Sequence, residues 1–104
     1  MTRSIPLFEH HHALQELLPR VSLASLPTPI ERLTNLEKLG YGGQLYIKRD
    51  DLSGSLYGGN KTRKLEFLLG QARQSNKKRV VTFGFAGSNH AVATAIYSRE
   101  LDLE

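Results

Sequence analysis

Gly58-Gly59-Asn60-Lys61-Thr62-Arg63-Lys64-Leu65-Glu66 sets a lysine at the mouth of a helix, directly behind a glycine pair. Leu65, Leu68 and Leu69 recur at helical spacing and give one apolar face. Asn60 is a favourable N-cap, because its side-chain oxygen accepts from a free backbone N–H two or three residues on. Gly70, or the Gln74-Ser75-Asn76 stretch, ends the helix. Helices ordinarily carry acids in the first turn, since the positive end of the dipole opposes an ammonium charge by roughly 0.3–1 kcal/mol. This first turn holds Lys61, Arg63 and Lys64 instead. Something outside the helix is expected to answer that charge, and an anion such as a phosphate is the natural candidate. A solvated basic helix start is the plainer alternative. An amine so placed is also a candidate nucleophile toward a carbonyl group.

Working outward, the downstream side reads as a short strand over Arg79–Phe83 (RVVTF), a tight loop over Gly84–Gly87, and a second helix from Ser88 to about Glu100. Ala91, Ala93 and Ala95 allow that second helix to pack closely. Upstream, Asp50–Gly59 is a polar, glycine-rich loop, and Gln44–Arg49 alternates as a strand does. Glu31–Leu39 reads as a short helix with Leu33, Leu36 and Leu39 inward, closed by Gly40. Leu26-Pro27-Thr28-Pro29-Ile30 is a rigid extended entry, since each proline disfavours helix in the residue before it. Residues 1–25 are poorly patterned and read as a solvated N-terminal segment. The run His10-His11-His12 does not share a helix face, so no metal site is expected there.

Strand, helix, strand, helix in that order indicates an α/β fold with a parallel sheet and flanking helices. Two strands do not make a buried parallel sheet, and the chain closes abruptly at Ser98–Glu104. The expected organisation is an N-terminal segment, 1–25, followed by the truncated N-terminal portion of a larger domain, 26–104.

Composition narrows the class. At 104 residues, 39% hydrophobic and 23% charged, the chain is sized and balanced like one small globular domain. Fourteen Lys and Arg against ten Asp and Glu give a formal charge of +4, so nucleic-acid binding has to be considered. The bases cluster at 61–64 and 73–79 without interleaved aromatics for base stacking, and no nucleic-acid partner is expected. No apolar run approaches the ~18 residues of a membrane span, so no membrane partner is expected either. The absence of cysteine excludes disulfides and thiol chemistry. The N-terminus lacks the apolar core of a secretory signal, and a cytoplasmic protein is the simplest expectation.

A second candidate site is Gly84-Phe85-Ala86-Gly87-Ser88-Asn89-His90, which follows a strand and opens a helix. Ligands of parallel α/β sheets bind at the carboxyl ends of strands, where helix N-termini present free N–H groups. Ser88 serves there as a cap, Asn89 offers a donor and an acceptor, and His90 a titratable ring. Two other phosphate motifs are excluded. Gly54 and Gly59 have P-loop separation, but Asn60 intervenes before Lys61-Thr62, and no GxGxxG triple is present.

Taken in order, Ile47-Lys48-Arg49-Asp50-Asp51-Leu52-Ser53-Gly54, then Gly58-Gly59-Asn60-Lys61-Thr62-Arg63-Lys64, then Ser88-Asn89-His90 resemble the N-terminal part of the aminocyclopropane-carboxylate deaminase and D-cysteine desulfhydrase family. These are pyridoxal-phosphate enzymes of the tryptophan-synthase-β type, fold type II. The resemblance covers residues 26–104. It implies that Lys61 is the lysine that holds the cofactor as a Schiff base and later moves protons. It implies that Lys64 lies near the cofactor phosphate and that Asn89 bonds the ring 3′-oxygen. Ser88, Asn89 and His90 would bind the substrate, with Ser88 also taking part in proton transfer. The implied cofactor is pyridoxal 5′-phosphate, the substrate a small amino acid converted to an α-keto acid and ammonia, and the full-length form a homodimer. Two alternatives stand beside this: a non-catalytic truncated remnant, and a basic nucleic-acid-binding module.

Overall fold

The computed structural model describes residues 4–104. Seven regular elements follow in order: α1 (Pro6–His10), α2 (His12–Leu17), β1 (Ile30–Arg32), α3 (Thr34–Lys38), β2 (Tyr46–Lys48), α4 (Lys61–Gln74) and α5 (Asn89–Glu100), with a short 3-10 turn at Asp50–Leu52. The two long helices form where the sequence has local helical spacing, and α4 has the bounds that spacing predicts. Helix α4 packs on α5, and Leu65, Leu69, Ala93 and Tyr97 make the buried core between them. Val21, Leu23, Val80, Leu101 and Leu103 close over that core. Leu68, expected on the apolar face, is 48% exposed. The inward face is instead Thr62, Leu65, Glu66, Leu69 and Gly70.

Helix α4 runs straight through Gly70 and ends at Ser75 and Asn76, the latter in the left-handed region (φ 53°). Gly70 has a packing role. A Cβ there would lie 2.7 Å from the Pro19 carbonyl oxygen and 2.9 Å from Arg20 Cα. The bare glycine lets the 19–20 backbone cross the helix. Gly70→Ala would gain about 0.8–1 kcal/mol of helix propensity, yet overpacking against backbone costs about 1–3 kcal/mol. Net destabilisation is the expected result of urea denaturation. Deleting the crossing segment should reverse the sign.

That crossing corrects the reading of residues 1–25 as solvated at Ile5, Phe8 and 19–24, whereas most of 9–18 is exposed. Ile5 and Phe8 are buried, and Phe8 sits edge-on to Phe67 at 6.2 Å between ring centroids. Val21 N–H donates to the Glu66 carbonyl at 3.0 Å. Partners so far along the chain leave no local pattern to read. The helix expected over Glu31–Leu39 is also shorter. Residues 30–32 pair instead as β1 with β2, antiparallel, Glu31 opposite Ile47. Leu36 and Leu39 are 40% and 74% exposed rather than inward, because the remaining single turn of α3 has no partner to pack upon among the described residues.

The two-stranded β1–β2 ladder is therefore antiparallel, whereas the order of elements predicts a parallel sheet. Residues 79–83 are not a laddered strand, but their direction of pairing is visible. Val80 N–H donates to the Glu104 carbonyl at 2.6 Å, and Glu104 N–H donates to the Lys78 carbonyl at 2.9 Å. One residue bonded to both neighbours of another is the parallel pattern. It sets Glu104 beside Arg79, and their side chains also pair at 3.0 Å. Helix α5 is the crossover between them. Val81, Phe83 and Phe85 are 71%, 88% and 94% exposed, since no described segment lies against them.

Candidate active site

Lys61 is the first residue of α4 and is half-buried, and Lys64, one turn on, is exposed. The helix entry is fastened by the preceding loop. Gly59 N–H donates to the Asp50 carbonyl at 2.7 Å, and the Ser53 hydroxyl donates to the Gly59 carbonyl at 2.7 Å. The Thr62 hydroxyl reaches back to the Tyr57 carbonyl at 3.0 Å. Asn60 is not the cap that its residue type suggests. Its backbone is already helical (φ −65°, ψ −17°), and its side chain makes no cap bond. A cap side chain must project from extended backbone to reach forward, and Thr62 ties the start of the helix down instead.

Part of the first-turn charge is answered from outside the helix, as expected, but by a carboxylate of the preceding loop rather than by a ligand. Arg63 forks onto Asp50 at 2.7 and 3.2 Å and also donates to the Thr28 hydroxyl at 3.0 Å. That hydroxyl donates to Asp50 at 3.2 Å, and Lys48 donates to the Thr28 carbonyl. The Arg63 hydrogen bond, followed by its charge, the Thr28 hydroxyl and the Lys48 charge, holds the Asp50 carboxyl below the usual carboxylate range. A carboxyl depressed in the folded state stabilises the fold above its unfolded value, near about 3.9, and loses that contribution as pH falls through the lower folded value. Melting temperature should therefore drop below about pH 4, and Asp50→Asn should flatten the drop when melts are compared across pH. Lys61 and Lys64 have no carboxylate partner among the described residues.

Helix α5 begins as its sequence predicts. Ser88 is the N-cap, and its hydroxyl accepts from Ala91 N–H at 3.3 Å. Asn89 is exposed, and His90 is half-buried, its Nδ1 enclosed without a hydrogen-bond partner among the described residues. No hydrogen bond joins Lys61 or Lys64 to Ser88, Asn89 or His90. The two helix starts are joined through Tyr57, which sequence reasoning missed. Its hydroxyl donates to Asn89 Oδ1 at 2.8 Å, and its carbonyl accepts from the Tyr97 hydroxyl at 2.6 Å as well as from Thr62. The only signal for it was an aromatic directly before the Gly58-Gly59 pair. Glu66, also missed, was detectable as a lone acid sharing a helix face with Thr62 and Leu69.

The two helix starts joined through Tyr57 therefore carry, on α4, a first-residue lysine and a second lysine without a carboxylate partner among the described residues and, on α5, a serine cap and a carboxamide whose oxygen accepts from Tyr57. The model of the family described as pyridoxal-phosphate dependent enzymes matches residues 21–104. The chain belongs to that family.

Individual relatives are more specific than the family. The chain is 51% identical over 82 residues to the bifunctional D-cysteine desulfhydrase/1-aminocyclopropane-1-carboxylate deaminase, mitochondrial, of Arabidopsis thaliana, covering 79% of this chain and 20% of that one. It is 41% identical over 93 residues to the D-cysteine desulfhydrase of Salmonella paratyphi B, covering 89% and 27%. A crystal structure of an ACC deaminase homologue superposes with a TM-score of 0.83 at 43% identity, over 97% of this chain and 30% of that one. The fold class read from the sequence, the N-terminal part of a fold-type-II pyridoxal-phosphate enzyme, holds. The chain spans less than a third of the length of these relatives. No described helix is long and apolar enough to cross a membrane.

The donor set fits the family's cofactor. Pyridoxal phosphate offers an aldehyde, an acidic ring oxygen and a phosphate. Opposite them stand a primary amine, a lysine without a carboxylate partner and a carboxamide N–H₂ not used by Tyr57.

Proposed function

We propose that this chain is the lysine-bearing N-terminal part of a pyridoxal-phosphate-dependent lyase or deaminase of the D-cysteine desulfhydrase and aminocyclopropane-carboxylate deaminase kind, acting on a small amino acid. The observation that carries this is the pair of helix starts tied by Tyr57, with Lys61 on one and Ser88-Asn89-His90 on the other. When bound, the cofactor supplies a ring that delocalises the electron pair left at the substrate carbon on proton loss. Lys61 would hold the cofactor through its aldehyde, and its amine would carry the substrate's proton. Lys64 offers charge to the phosphate, and Asn89 donates to the ring oxygen. Ser88 and the first N–H groups of α5 meet the substrate carboxylate, since a helix N-terminus favours an anion, and Ser88 takes part in proton transfer. His90 completes the substrate contact. Residues 26–104 are the part of the domain that contributes these groups, residues 1–25 preceding it. The polypeptide is a cytoplasmic homodimer at full length.

Visible absorption of the chain with added pyridoxal phosphate, then borohydride reduction and peptide mapping, tests the reading. A new band with label confined to Lys61 supports it. Label scattered over many lysines would overturn it for this chain and leave the non-catalytic remnant.

A further inference from the structure

Tyr57 does more than brace a loop. Its backbone is fixed from both helices, because its carbonyl accepts from Thr62 on α4 and from Tyr97 on α5. The residue after it is pinned as well. A Cβ on Gly58 would fall 1.8 Å from the Asp51 carbonyl oxygen, so the loop backbone lies directly against 51. From that fixed backbone the phenol hydroxyl reaches Asn89 Oδ1 at 2.8 Å. A carboxamide has one acceptor oxygen and one donor N–H₂. With the oxygen engaged by a phenol, the nitrogen is the group left to a ligand.

We propose that Tyr57 is a positioning residue that sets the orientation of the Asn89 carboxamide, so that Nδ2 is presented as a donor to an anionic oxygen of the bound cofactor. This rests on the reading of Lys61 and Asn89 as cofactor-binding residues. Without the phenol, no other side-chain hydrogen bond among the described residues fixes which end of the carboxamide faces a ligand. The effect on affinity is then that of one ordered hydrogen bond.

The test uses Tyr57→Phe, which keeps the ring that packs against the core, together with Asn89→Ala and the double variant, with pyridoxal phosphate itself as probe. In the ligand-free chain, Tyr57→Phe should move the Asn89 side-chain amide resonances. Cofactor affinity should fall roughly five- to tenfold, the size of one net hydrogen bond. In the Asn89→Ala background the same change should have no further effect. Equal affinity in Tyr57→Phe, or the same loss with Asn89 already removed, would overturn the inference while label on Lys61 in the unsubstituted chain left the cofactor reading standing. Absence of that label in the unsubstituted chain is a separate failure. It overturns the cofactor reading first and this inference with it.

Discussion

Glu66→Ala is expected to destabilise the fold by about 3–5 kcal/mol, the cost of removing one partner from a buried ion pair. The Arg20 and Glu66 side chains are only 4% and 2% exposed, with Nη2 and Nε each 2.7 Å from Oε2. The other carboxylate oxygen accepts from both Leu23 and Ala24 N–H at 2.9 Å. Alanine would therefore strip a guanidinium and two backbone donors of one acceptor group, and buried donors left unmet carry their full desolvation penalty. Glu66→Gln keeps an oxygen for the backbone pair and sets an amide against Arg20, so its loss should be smaller. Urea denaturation gives both values from the midpoint at constant slope. A midpoint for Glu66→Ala within error of the unsubstituted chain would show that residues 20–24 are not docked on α4 in solution.

Lys61→Ala should abolish the borohydride-fixed cofactor label, because Lys61 is the amine proposed to hold the cofactor and Lys64 lies one turn further along α4. In a polypeptide that carries the activity, losing the proton-moving group should lower turnover by roughly 10²–10⁴-fold. Lys64→Ala is the control: weaker cofactor binding with the label still on Lys61. Peptide mapping after reduction separates the two. Label persisting in Lys61→Ala at the level of the unsubstituted chain would remove Lys61 from the proposed role.

What the residues disclosed follows the range of the forces involved. Helix α4 was readable from the spacing of Leu65, Leu68 and Leu69, although Leu68 lies exposed, and α5 from Ser88, because helical spacing and capping act within one or two turns. The end of β1 was not, since Ile30–Arg32 takes its hydrogen bonds from a strand that begins fourteen residues after β1 ends. Phe8 and Arg20 were unreadable for the same reason, their partners Phe67 and Glu66 lying on α4. The two helix starts that carry Lys61 and Ser88-Asn89 were legible in the motif order, whereas the Tyr57 link between them was not. A phenol that acts on a residue 32 positions later has no signature in spacing. The charge argument was half sound. Three first-turn bases did need answering, but Asp50 answers Arg63 from the preceding loop.

The Arg20–Glu66 clasp also has a schedule. Arg20 is joined to the growing chain 46 residues before Glu66, which at roughly 5–20 residues per second is about 2–9 s. Through that interval the first segment of the protein has no Glu66 to meet, while α4 and α5 close on each other over a shorter span once made. Residue 20 thus waits for α4 to be made before it has a surface to dock on, and a pause between residues 20 and 66 would lengthen that wait.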